Sequence, residues 1–184
     1  MAREESMASL TDRMMRAAKL DVSLYEEVEA DKEAMGQAMT VVILSSVAAG
    51  IGTIGTIGLK GLIIGTIAAL VGWFIWAYLT YAIGTKLLAE PQTKADYGEL
   101  LRTIGFSSSP GVLRFFGIIP MLGNILNLIC GIWMLVAMII AVKQALDYKS
   151  TWRSVAVCLI GFIVQLIVFV LFFQLIGGFG ASQP

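Results

Sequence analysis

The chain has 184 residues, 58% of them apolar and only 14% charged, with a mean hydropathy of +0.83, whereas a soluble domain carries about a quarter charged residues. Thirteen basic and thirteen acidic residues cancel, which argues against nucleic acid as a partner. The absence of histidine removes the commonest ligand of metal, haem and chlorophyll together with the usual general base. The opening MAREESMASLTDRMMR is charged rather than apolar, so it reads as no cleaved secretory signal, and the apolar segments themselves do the targeting.

Residues 1–36 form an acidic lead. They hold nine of the 13 acids against five bases, a balance unsuited to lying on anionic lipid. Leu10, Met14, Ala17 and Ala18, then Leu20, Leu24, Tyr25 and Val28, have the spacing of one helical face, with Asp21 as an interruption or a cap. The lead is expected to be helical and cytoplasmic, docking through Leu24, Tyr25 and Val28 on the protein's own connections or on a partner. Glu26, Glu27, Glu29 and Glu33 are expected to approach Lys86, Lys94, Arg102, Lys143, Lys149 or Arg153.

Residues 37–178 form the membrane domain, an all-α polytopic bundle. Crossing a bilayer takes about 20 mostly apolar residues, and spans are predicted near 38–57, 62–84, 101–119, 121–142 and 154–176, with a short tail at 179–184. Between the first two lies GIGTIGTIGLKG, whose first six residues match the dinucleotide pattern G-x-G-x-x-G. That pattern needs a preceding strand and an acid about 20 residues on, but no acid separates Glu33 from Glu90. Gly52, Gly55, Gly58, Gly61 and Gly65 are read instead as turning and helix-packing residues, Gly61 and Gly65 forming a small-xxx-small pair. Trp73, Trp76, Tyr78 and Tyr81 read as packing plus an aromatic belt beside Lys86.

The third segment, TIGFSSSPGVLRFFGII, is interrupted by Ser107, Ser108, Ser109, Pro110 and Gly111 and carries Arg114. It fits a broken span, a re-entrant hairpin or an interfacial segment. Positive charge chooses among them, because short cytoplasmic loops are rich in Lys and Arg. Five spans place 11 bases on the amino-terminal side and two, Lys60 and Arg114, on the other; four spans divide them nine to four. The expected topology is five spans with a cytoplasmic amino terminus and an outside carboxyl terminus, the third span broken at Ser-Pro-Gly. Arg114 is expected to snorkel to the outer headgroups.

Asn124, Asn127 and Gln165 lie within apolar runs and read as interhelical hydrogen-bonding groups, with a transport site as the sharper alternative. Cys130 and Cys158 behave as small hydrophobes. No catalytic residue, metal ligand or cofactor-binding residue is predicted. Any bound lipid, carotenoid or quinone would be held by aromatic and apolar surface.

The acidic LDVSLYEEVEADKEAMGQA before the first span, GWFIWAYLTYAIGTKLL closing the second, ELLRTIGFSSSPGVL, and IWMLVAMIIAVKQAL followed by SVAVCLI resemble the bacterial and archaeal branch of the Ypt-interacting-protein (Yip) family of five-span membrane proteins. The resemblance covers roughly residues 20–176. It implies a cytoplasmic amino terminus and, in eukaryotic members, association with prenylated Rab-type GTPases in vesicle trafficking. The acidic-Leu-x-Gly-Pro signature of those members is missing here, so small GTPase binding is not carried over. The expected function is that of a non-enzymatic scaffold or accessory subunit of the inner membrane, organising other integral membrane proteins, with a large membrane complex among the expected partners. The alternative is a small transporter or channel that uses the broken third helix.

Overall fold

The computed structural model describes residues 9–119 and 122–180. Residues 1–8, the predicted start of the fourth span at position 121, and the tail from 181 onward lie outside the described residues. Seven α-helices follow one another: α1 (Leu10–Ala18), α2 (Val22–Ala30), α3 (Met35–Gly52), α4 (Ile54–Ala82), α5 (Tyr97–Ser107), α6 (Leu122–Ala145) and α7 (Thr151–Gly180). A 3-10 turn, Lys32–Ala34, leads into α3, a π-turn, Ile83–Leu87, ends α4, and a 3-10 segment, Ser109–Ile118, continues α5. There is no strand among the described residues.

The chain is punctuated by polar caps. Ser9 accepts from the Asp12 amide at the start of α1 (3.2 Å), and Asp21 from Ser23 at the start of α2 (3.0 Å). Asp31 receives the Glu33 amide (2.9 Å), and Asp96 with Glu99 forms a reciprocal capping box on α5. Each satisfies amides that the first helical turn leaves free. Asp21 is thus a cap, and it splits the predicted single lead helix into a hairpin.

Among the described residues four helices are long and apolar enough to cross a membrane: Lys32–Gly52, Gly58–Leu87, Leu122–Ala145 and Thr151–Val168. The third segment is not among them, because α5 stops after 11 residues. Its path is nonetheless fixed against α3. Gly105 lies opposite Ala38, Gly111 opposite Ser45, and Gly117 opposite Gly52, so the two run side by side in the same direction. A 3-10 helix rises about 2.0 Å per residue against about 1.5 Å in an α-helix, so this short segment keeps pace with α3. Its period of three sets Gly111, Arg114 and Gly117 along one edge, and that edge meets α3. Leu113, Phe115, Phe116 and Ile118 point outward and are exposed.

The glycine stretch differs from its sequence reading. The first span ends at Gly52 and α4 begins at Ile54, so most of the predicted connection is helical. Gly58 bends α4, with φ +63° and ψ −178°, a region open essentially to glycine alone. Gly52 is the close-packed member, since a Cβ there would lie 2.5 Å from the Arg114 carbonyl oxygen. Gly55 and Gly65 pack on nothing: a Cβ at either would meet no atom within 4 Å. The helix-packing role expected of them, and of the Gly61/Gly65 pair, is replaced at Gly61 and Gly65 by a place on a cavity wall.

Aromatic donors tie the helices together. Trp73 donates to the Leu101 carbonyl (3.0 Å) and Tyr97 to Phe74 (2.8 Å), joining α4 to α5, while Tyr148 donates to the Gly84 carbonyl in the π-turn (2.9 Å). A Cβ at Gly105 would come within 2.8 Å of the Ala38 side chain and 3.2 Å of its carbonyl. Gly105→Val is therefore expected to cost about 1–3 kcal/mol by overpacking. Gly65→Ala, in open helix, should be neutral or stabilising by up to about 1 kcal/mol. Thermal unfolding in detergent distinguishes the two; equal effects would contradict the α3–α5 contact.

Candidate functional site

Two places concentrate polar chemistry: the seat of the acidic lead and a cavity beside the broken third segment. The seat begins with the hairpin itself. Arg13, 3% exposed, donates to Glu27 (2.9 Å), Asp31 (2.8 Å) and Gln37 (3.0 Å). Arg16 pairs with Asp21 (2.9 Å) and Glu27 (2.5 Å). Burial pushes the Glu27 carboxyl up, but hydrogen bonds from Arg16 and Arg13 outweigh it and hold the group below the ordinary range. A buried guanidinium is tolerable only when its donors are met in this way.

The expected pairing of lead acids with basic connections is not what forms. Glu27 is taken by the lead's own arginines, and among the described residues no ion pair joins Glu26, Glu27, Glu29 or Glu33 to Lys86, Lys94, Arg102, Lys143, Lys149 or Arg153. Arg102 instead donates to the backbone carbonyls of Val28 (2.8 Å) and Glu29, at the end of α2. Trp133, on α6, donates to the Ala18 carbonyl at the end of α1 (2.8 Å). Both lead helices thus finish on donors from the bundle, where the last carbonyls have no partner within the helix and the helix dipole favours a cation.

Leu24, Tyr25 and Val28 are fully buried, and α2 packs on α5 and α6. These three residues are therefore closed to any separate partner, and the surface they dock on is the protein's own. On the same side Glu90 accepts from Arg153 (2.9 Å) and from the Lys149 amide (3.0 Å), and Arg153 donates to the Leu88 carbonyl (2.9 Å). The connection after α4 and the connection after α6 are therefore laced together.

At the break, Ser107 donates to the Ile104 carbonyl and Ser109 to the Phe106 carbonyl, both at 2.7 Å. Pro110 has no amide hydrogen to give Phe106, so Ser109 takes its place. Ser107, Ser109, Pro110 and Gly111 are buried, and Ser108 faces the cavity.

That cavity, about 790 Å³, is ringed by α3, α4, α5, the 3-10 segment, α6 and α7, a size typical of ligand sites. Its polar lining includes Ser45, Ser108, Arg114, Asn127 and Gln165. Asn124, Asn127 and Gln165 are exposed and make no side-chain hydrogen bond among the described residues, so the expected interhelical clamps do not form; Asn127 and Gln165 face the cavity and Asn124 does not. Arg114 does not simply snorkel outward. Its guanidinium lies near Gly131 on α6, and its Nε is buried with no hydrogen-bond partner. The sequence signal for this was a base with no acid in any neighbouring span. Cys130 and Cys158 are buried and unbridged, and no metal-holding cluster occurs among the described residues.

Apolar crossing helices, a sealed polar break and a laced set of connections define a polytopic helical membrane protein. The Yip1 domain model matches residues 23–172, so the chain belongs to the Yip1 domain family, a family of non-enzymatic membrane proteins. The match begins inside α2, leaving α1 outside it. No curated protein and no solved structure matches the chain.

Burial pushes the Glu29 carboxyl up to about 7, and Glu99, Asp147 and Glu26 push the same way. Its docked value lies above the ordinary 4.5, so its contribution is complete below about pH 4.5 and is lost as pH rises toward 7. Hydrogen exchange over residues 22–30 should show protection falling across that window, and Glu29→Gln should flatten the slope. An unchanged slope would contradict the assignment.

Proposed function

We propose that this protein is a five-span, non-catalytic module of the cytoplasmic membrane that organises other integral membrane proteins. In this reading the lead and the connections after α4 and α6 are cytoplasmic, and the carboxyl terminus is outside. Support for five crossings comes from the parallel course of the third segment along α3 and from the Glu90–Arg153 contact. That contact holds the connections after α4 and α6 on one side, which an uncrossed third segment would separate.

The observation that carries the organising role is the bareness of α4. Only 11% of its membrane window is buried, against 39% in α3. Its exposed residues Ile64, Ile67, Val71, Ile75 and Tyr78 recur at helical spacing along one stripe, the form of surface on which another span can pack. Ser107 and Ser109 are committed to the Ile104 and Phe106 carbonyls, and the described lining around Ser108 holds no His, Asp, Glu or Lys to activate it. The cavity favours a second reading, a small transporter.

Purification from the native membrane in mild detergent tests these readings. The scaffold account expects a stoichiometric integral membrane partner that Ile67→Trp with Val71→Trp releases and Leu128→Trp does not. A chain that purifies alone and moves solute into proteoliposomes supports the transporter and contradicts the scaffold.

A further inference from the structure

The cavity is electrostatically incomplete. Among the described residues Arg114 is its only charged lining residue, and no Asp or Glu faces it. The Arg114 Nε is buried without an acceptor, and so is the indole nitrogen of Trp76, which lines the cavity from α4. Both atoms lacking a partner are donors. A buried donor left unmet, above all on a cation, is among the costlier arrangements in a low-dielectric interior, and nothing among the described residues answers it. The missing component is an oxygen acceptor carrying negative charge.

The shape of the cavity says where that component comes from. Helices α4 and α7 touch where Gly161 meets Trp76 and Ile83; a Cβ at Gly161 would lie 3.3 Å from the Trp76 ring. Farther along, a Cβ on Gly65 or Gly72 meets nothing within 4 Å, and Phe162 and Gln165 are exposed. The contact at Gly161 is not repeated at Gly65 or Gly72, which line the cavity instead, so the side between α4 and α7 is where an apolar chain would enter. The rest of its wall, including Val42, Leu62, Ile104 and Met138, is apolar. A water-soluble anion has no apolar surface to match this wall; a lipid has.

We propose that the cavity binds one anionic membrane lipid, its acidic head group on Arg114 beside Asn127 and its acyl chain along the α4 wall past Gly65. Charge complementarity selects the head, because a phosphate oxygen supplies the acceptor that Arg114 lacks and a guanidinium binds such oxygens with paired, charge-assisted hydrogen bonds. The site is independent of the stripe on α4 that the scaffold reading uses.

The full chain reconstituted in nanodiscs of equal phosphatidylglycerol and phosphatidylcholine, then released for native mass spectrometry, tests this. Wild type should retain one phosphatidylglycerol per chain, preferred by at least about tenfold. Arg114→Gln should abolish the preference, and Arg114→Lys, which keeps the charge but not the paired donors, should keep part of it. Gly65→Phe, at a position with free space, should block the wall and remove the bound lipid itself. Equal retention of the two lipids by wild type would overturn the proposal. So would a preference that survives Arg114→Gln or, should that variant fail to fold, one that survives Gly65→Phe.

Discussion

Backbone carbonyls that a helix leaves free have no water to turn to inside a bilayer or when buried in protein, and leaving one unmet is costly in either place. Much of the tertiary structure answers that constraint. Where a helix stops, bends or loosens, a side-chain donor takes the carbonyl: Trp133 at the end of α1, Arg102 at the end of α2, Ser109 at the break and Tyr148 at the π-turn. Trp133, Arg102 and Tyr148 come from a distant part of the chain, so satisfying the backbone also locks one element onto another. Arg102 shows this most fully, since a single buried guanidinium closes α2 and pins the lead to α5.

The same constraint explains the third segment. Pro110 would leave the Phe106 carbonyl open, and the chain meets this with a serine hydroxyl and a tighter helix. The tighter helix needs close neighbours, and Gly105, Gly111 and Gly117 supply the room against α3. Its three-residue period then turns Arg114 along the edge that meets α3 and α6 and into the cavity. The break and the cavity thus share one cause, the Ser-Pro-Gly sequence.

Long apolar runs made four crossing helices legible, because burial in lipid is a property of composition. The apolar face of the lead was equally legible at Leu24, Tyr25 and Val28, but its partner was not, since nothing local says that α5 and α6 lie beneath it. Glu27 misled for the same reason: its nearest cations, Arg13 and Arg16, face it only once Asp21 has folded the hairpin. Glycine spacing was a poor guide to packing. Gly61 and Gly65 match a glycine packing motif and line a cavity, whereas Gly84 and Gly105, with no glycine four residues away, sit hard against Leu146 and Ala38. A glycine contact is set by what the fold brings opposite it, which spacing along one chain does not encode.

The central claim is that the broken third segment crosses the membrane alongside α3. Cysteine labelling reads it directly, with Cys130 and Cys158 replaced by alanine and single cysteines placed at Lys60, beyond the first span, and at Lys149, after α6. A membrane-impermeant maleimide applied to intact cells should label Lys60→Cys, and should reach Lys149→Cys only after permeabilisation. Labelling of both positions in intact cells would put the connection after α6 outside, and the third segment would then not cross.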